Sequence, residues 1–332
     1  MQHILRTILL AHVVFNTLVF ASPLEGNLVP VADNAREIYV EYKRAKNNSP
    51  TFIFLNGLTY ETRFWKQTVV EILKTMPDAG ILLFDFWGQG NTLLNAVAKN
   101  PFSLSKPIPA ANQARDFIEL VKHHEIKGPV VAVGLSYGGG IAALAEMLEP
   151  NLTSQTIMMA PYLEPATSQD PWIAEQIRWV RITNPLNPAT DDELYDYFLK
   201  QLVYSSFPLQ EPVVLENPYK LEGVFKLIQG IRKTNITKMA KKLTAKRKLH
   251  LIQPLNDEYI AQATFNRFWE VLPGGSKASR ALFLETGHKV PEDQPAALAS
   301  WLTLIASHPS RYQNGKTWRV DPSTMTACSS HF

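Results

Sequence analysis

The sequence predicts an α/β fold: a mostly parallel, doubly wound sheet with a helical cap inserted between its late strands. Two observations predict it. Short, continuous apolar runs recur between segments of helical spacing, as strands covered on both faces require. An aromatic- and proline-rich stretch of about 85 residues then breaks that rhythm before the strands resume.

A leader comes first. Arg6 is followed by an apolar run from Ile8 to Phe20, then by Ala21, Ser22 and Pro23. A charged start, a short apolar centre and a small-residue cleavage point read as a signal peptide over residues 1–21. Export to the periplasm or beyond is expected, the alternative being a leader kept as a membrane anchor. His12 and Asn16 interrupt a run already short for a membrane span.

The first core segment is read over residues 22–161. Glu37 to Tyr42 alternates polar and apolar residues, as a half-buried strand does. Thr51–Leu55, Ile81–Phe84, Val130–Val133 and Gln155–Met159 are the continuous runs of buried strands. Between them, Phe64–Met76, Ala110–Glu125 and Tyr137–Leu148 have helical spacing. Right-handed crossovers between parallel strands make such a sheet doubly wound.

Residues 162–246 carry Trp172, Trp179, Tyr195, Tyr197, Phe198, Tyr204 and several prolines, with helical stretches and no convincing buried strand. A bare loop of that length is rare, so the segment reads as a helical cap over the carboxyl edge of the sheet, where open α/β sheets bind ligands. The second core segment, 247–310, resumes with Lys248–Ile252, a helix over Ala261–Val271, the strand Arg280–Leu284 and a helix from Pro295 to Ile305. Residues 311–332 read as a C-terminal tail.

Composition excludes several classes. A net charge of +3 is too small to imply a nucleic-acid partner. Cys328 is the only cysteine, so no internal disulfide can form, and no His/Cys cluster has ligand spacing, so no metal is expected. No dinucleotide or flavin fingerprint is visible, and no cofactor is called for. The cluster Lys238, Lys241, Lys242, Lys246, Arg247 and Lys248 reads as a solvated helix face leading into a strand. Asn47, Asn151 and Asn235 begin glycosylation sequons, which matter only where the source glycosylates exported proteins.

The chemistry lies in Gly134-Leu135-Ser136-Tyr137-Gly138. A bare G-x-S-x-G arises by chance in roughly one chain in ten of this length, so context decides. Here the motif follows a buried strand and opens directly into a helix, the setting of a nucleophile elbow. At this point the chain resembles the α/β-hydrolase family, from about Ile38 to Ile305. The resemblance implies a Ser-His-Asp triad in the order serine, acid, histidine, with Ser136 as nucleophile.

The later members follow from position. His288, in Gly287-His288-Lys289-Val290-Pro291-Glu292, lies after the last strand and is the implied general base. Asp257 lies beyond the preceding strand and is the implied acid. Pro254 stands where the family usually has glycine, so Glu258 and Glu164 remain alternatives. The resemblance also implies an oxyanion hole from the backbone N–H groups of Leu58 and Tyr137. Asn56 occupies the place of the family's usual histidine. Asp85-Phe86-Trp87-Gly88-Gln89-Gly90 resembles the family's D-x-x-G-x-G turn, with Asp85 in a structural role.

The implied activity is hydrolysis of a carboxylic ester through an acyl-serine. The aromatic cap residues read first as packing within the cap and then suggest a small-molecule substrate with an apolar part, while the basic cluster leaves a membrane-lipid surface as a further partner. Amidase, peptidase, acyltransferase and non-catalytic binding readings stay open, because fold and triad leave the substrate open. Oligomeric state is not legible.

Overall fold

The computed structural model describes residues 24–165, 170–206, 216–244, 246, 248–323 and 326–330. The leader (1–21) and Arg247 lie outside these. The described chain opens with β1 (Glu25–Val31) and β2 (Arg36–Lys43), then enters the core with β3 (Thr51–Leu55). Helix α1 (Lys66–Thr75), β4 (Gly80–Phe84), α2 (Gly90–Lys99), α3 (Ala110–His123), β5 (Val130–Leu135), α4 (Tyr137–Leu148) and β6 (Gln155–Met159) follow in order. The chain then leaves the sheet for α5 (Asp170–Thr183), α6 (Asp191–Ser206) and α7 (Lys220–Ile231). It returns with β7 (Leu249–Pro254), α8 (Gln262–Val271) and β8 (Lys277–Phe283). It ends with α9 (Val290–Asp293), α10 (Pro295–Ser307), β9 (Lys316–Asp321) and β10 (Thr326–Ser330).

The strand order is β1-β2-β4-β3-β5-β6-β7-β8-β9-β10. From β4 to β9 every neighbouring pair is parallel, and antiparallel pairs cap both edges. Strands β3, β4, β5 and β6 are buried at every residue, which is why their sequences do not alternate. The order reverses between β3 and β5, so the carboxyl ends of those two strands flank the crevice where such sheets take ligands. Helices α5, α6 and α7 share a small apolar core of Ile173, Leu199, Val203, Val224 and Phe225. Leu227 and Ile231 join α7 to the main core.

Strand β1 lies in a stretch that the sequence reading assigns to no element, and three further features depart from that reading. Residues 311–332 are not a plain tail: β9 pairs with β8, and β10 pairs with β9. In β9 only Trp318 and Val320 are buried, a two-residue alternation too short to stand out. Trp318 packs near Trp301 of α10 and Tyr312, with centroids 6.1 and 4.9 Å away. Helix α2 was hidden by the glycine-rich turn that opens it. Lys248 is not on a solvated face: its ammonium is buried 2.8 Å from Glu146, while Lys238, Lys241, Lys242 and Lys246 are exposed.

Candidate active site

Ser136 sits between β5 and α4 with φ 51° and ψ −114°. A positive φ on a side-chain-bearing residue costs roughly 1–3 kcal/mol and persists only where its surroundings enforce it. Here the enforcement is backbone pairing. Ser136 N–H donates to Met159 C=O at 2.9 Å, and its own C=O accepts from Gly140 N–H at 3.1 Å and Tyr162 N–H at 2.8 Å. Sterics require glycine nearby: a Cβ on Gly138 would lie 2.2 Å from the Leu55 carbonyl oxygen, and one on Gly134 2.4 Å from that of Gly138. A serine at a helix N-cap ordinarily folds its oxygen back onto the helix. Ser136 makes no such capping bond, and its residue is partly exposed.

The register aligns the other strand ends with this one. Leu135 pairs with Met159, Met159 with Ile252, and Ile252 with Ala281. The loops after β5, β7 and β8 therefore leave the same edge of the sheet. Within them, His288 Nδ1 lies 2.9 Å from Asp257 Oδ2 and 3.1 Å from Oδ1. The Asp257 side chain is fully buried, and its Oδ1 accepts from the backbone N–H groups of Tyr259 (2.9 Å) and Ile260 (2.8 Å). The carboxylate is thus locked by its own loop before it meets the imidazole. The Tyr259 ring packs edge-on against His288 at 5.0 Å.

The two alternative acids are used differently. Glu258 Oε2 accepts the backbone N–H of His288 at 3.0 Å. Glu164 is drawn away by Arg267, 2.7 Å from its Oε2, and that guanidinium holds its carboxyl below the usual range.

The turn after β3 lies against the elbow. A Cβ added at Gly57 would come within 3.5 Å of Leu135 and 3.6 Å of Tyr60. Asn56 is buried and satisfied: Nδ2 donates to Phe84 C=O (3.0 Å) and Asp85 Oδ1 (3.2 Å), and Oδ1 accepts from Trp65 Nε1 at 2.7 Å. Asp85 also accepts from Thr62 N–H and Asn91 N–H, both at 2.8 Å. Burial pushes its carboxyl up to about 7, against the pull of those two bonds. It knits the turns together, the structural role expected of it. Gly90 needs its φ of 46° and its missing side chain, because a Cβ would sit 2.1 Å from Asp85 Oδ2. Among the described residues the Leu58 and Tyr137 N–H groups have no acceptor.

Two contacts here had no clear mark in the sequence. Gln89 is buried with its amide on the Gly57 and Leu58 carbonyls. Tyr60 OH donates to Glu292 in α9, just beyond His288. Gln89 at least stood inside a recognised turn; Tyr60 had no signal. A separate polar cavity of about 230 Å³, lined by Glu61, Arg63, Asn91 and Asn217 among others, includes none of the five predicted site residues. Its charges pair with each other, as in Arg63 with Glu216 and with Glu61.

A family model described as the alpha/beta hydrolase family matches residues 52–301. The chain belongs to the alpha/beta hydrolase family. No curated protein matches it. Solved structures place the same fold under distant sequences. A membrane phospholipase A, a novel bacterial virulence factor, is 15% identical with a TM-score of 0.60, covering 94% of this chain and 99% of its own. An alpha/beta hydrolase enzyme from a Medee basin deep-sea metagenome library is 15% identical at 0.61, covering 85% and 97%. A thermophilic esterase from Thermogutta terrifontis is 15% identical at 0.57, covering 87% and 99%. For this alpha/beta hydrolase, family membership supports hydrolytic chemistry, and the structural likenesses speak for the fold alone.

Proposed function

We propose that this alpha/beta hydrolase cleaves carboxylic esters through an acyl-serine intermediate, with Ser136 as nucleophile, His288 as general base and acid, and Asp257 as the residue that orients the imidazole. The observation that carries the reading is the locked pair: His288 Nδ1 lies 2.9 Å from a fully buried Asp257 carboxylate, beside an edge where Ser136 is held in a strained turn. A carboxylate at Nδ1 keeps that nitrogen protonated and leaves Nε2 to accept a proton.

In this scheme Ser136 Oγ attacks the substrate carbonyl carbon while His288 Nε2 takes the hydroxyl proton. The carbonyl oxygen becomes an oxyanion facing the N–H groups of Leu58 and Tyr137, aided by the positive end of α4. Collapse expels the alkoxide, which takes the proton from the imidazolium. Water, deprotonated by His288, then attacks the acyl carbon, and the imidazolium returns that proton to Ser136 Oγ as the acyl–Oγ bond breaks and the acid leaves. Catalytic hydrogen bonds from serine to histidine often tighten only when substrate is present.

The cap contributes aromatic side chains, of which Trp172, Trp179 and Tyr197 are exposed. They support a small-molecule substrate with an apolar acyl or aryl part. We also propose that the chain is exported by its leader; sequencing the mature protein should find a start near Ser22, and a start at Met1 overturns this.

A fluorophosphonate probe tests the mechanism. Labelling of the wild type and not of Ser136→Ala supports it. Folded wild type that takes no label favours a non-catalytic binding protein. A panel of p-nitrophenyl esters of rising chain length then tests the substrate class, and activity confined to peptides or acyl transfer overturns the ester assignment.

A further inference from the structure

We infer that Gln89 is a positioning residue for the oxyanion donor in the turn after β3. The inference rests on the ester-hydrolase reading above and adds a residue to it.

The argument starts from the peptide bond. The unit joining Gly57 to Leu58 is planar and trans, so the Leu58 N–H points opposite to the Gly57 C=O. Whatever holds that carbonyl aims that N–H. Two donors hold it: Gln89 Nε2 at 2.6 Å and the Tyr60 N–H at 3.2 Å. The same Gln89 nitrogen also reaches the Leu58 carbonyl oxygen at 3.0 Å, so one amide fixes two successive peptide planes. Released, the Gly57–Leu58 peptide could rotate and turn an oxygen, with its partial negative charge, toward the developing oxyanion.

Gln89 is built to hold still. It is buried, with 4% of its surface exposed, and its own N–H donates to Phe86 C=O at 2.8 Å. It is flanked by Gly88 and Gly90, both at positive φ, in the turn that Asp85 secures. Its Oε1 is buried with no hydrogen-bond partner among the described residues. A half-satisfied buried amide is a poor choice for stability compared with an apolar residue of similar shape. What the position uses is the NH₂ group, and that group serves the turn facing the elbow.

Gln89→Met keeps the length and removes the donor; Gln89→Glu keeps the shape and donates only when protonated. The oxyanion exists in the transition state and not in the bound ester, so loss of aim lowers kcat and leaves KM nearly unchanged. We expect kcat to fall about 10- to 100-fold in Gln89→Met, short of the 10²–10³-fold typical of deleting a donor outright. Affinity for an alkyl boronic acid, whose tetrahedral adduct places an oxygen in the same hole, should fall in parallel. In Gln89→Glu the activity relative to wild type should rise as pH falls, because a protonated carboxyl can again donate to Gly57 C=O. Misfolding would not produce that recovery. Wild-type kcat in Gln89→Met, or a pH-independent ratio in Gln89→Glu, overturns the inference while an inactive Ser136→Ala leaves the mechanism standing. Full activity in Ser136→Ala instead overturns the mechanism, and the assignment of Gln89 with it.

Discussion

Tyr60 Oη donates to Glu292 Oε1 at 2.5 Å, joining the turn after β3 to the helix that begins just past His288. The phenol is buried, and burial together with the carboxylate pushes its ionisation above the ordinary tyrosine range, so it stays a donor. The bond ties the proposed oxyanion turn to the proposed base across 232 residues of sequence.

Tyr60→Phe deletes this bond and keeps the ring. Glu292 is exposed and can be rehydrated, so urea denaturation should show a loss of only about 1 kcal/mol. If the tie sets the histidine loop, kcat falls several-fold with KM nearly constant. Unchanged kcat would mean that the Asp257 pairing alone fixes His288.

The acid is decided by comparing Asp257→Asn with Glu258→Gln. Asparagine at 257 can still accept from Tyr259 and Ile260 N–H through its oxygen, but then presents NH₂ to His288 Nδ1 and favours the wrong tautomer. We expect kcat to drop on the order of 10³–10⁴-fold with the fold retained. Glutamine at 258 can still accept the His288 backbone N–H, so less than about a tenfold change is expected, the loss of one charge-assisted bond. The reverse pattern in steady-state kinetics would move the acid to Glu258.

Gly138→Ala tests the elbow sterically. The added methyl meets the carbonyl oxygens of Leu55 and Asn56, 2.2 and 2.7 Å from the ideal Cβ, and backbone cannot step aside as a side chain does. Overpacking of this kind costs about 1–3 kcal/mol. Both melting temperature and kcat should fall. Retained kcat would show that the turn after β3 can shift without harm to the proposed oxyanion donors.

Much of this architecture was legible because buried parallel strands leave an unambiguous mark. Phe52 to Leu55 and Val130 to Val133 are apolar throughout, since both of their faces are covered. The elbow was legible for a steric reason, as Gly134 and Gly138 have no room for a Cβ. His288 and Asp257 are implied by the resemblance to the family, whose acid and histidine follow the last two core strands, and the structure brings their side chains together. What the sequence leaves unmarked is whatever depends on partners distant along the chain. Nothing near Tyr60 announces Glu292, and nothing near Lys316–Asp321 announces the strand it extends. Lys248 has the local sequence of one more surface cation, and only the fold sets it beside the buried Glu146 of α4.

His250 supplies a prediction about pH. Its ring is fully buried on β7, with Nδ1 2.7 Å from Ser279 Oγ and Nε2 without a partner among the described residues. Burial pushes its pKa down to about 3, whereas the unfolded chain should titrate near the ordinary value of about 6.5. Above pH 6.5 both states are neutral and folding is favoured in full. Below it the unfolded chain binds a proton that the folded ring refuses, so stability falls by up to about 1.4 kcal/mol per pH unit until the folded ring itself titrates. His124, lowered to about 4 chiefly by burial, acts in the same direction but is only half-buried, so solvent weakens its share. Asp85 and Asp116 oppose both, because burial raises their carboxyls to about 7 and about 6 and the folded state gains a proton first. The net slope mixes these groups, but the difference between wild type and His250→Asn isolates one. Asparagine keeps a hydrogen-bonding atom for Ser279 and cannot take up the proton. Urea unfolding free energies measured from pH 7 to pH 4 should fall less steeply in the variant, by nearly one proton's worth of slope. Parallel curves would mean that His250 charges inside the folded protein, and that the strand around it opens to water.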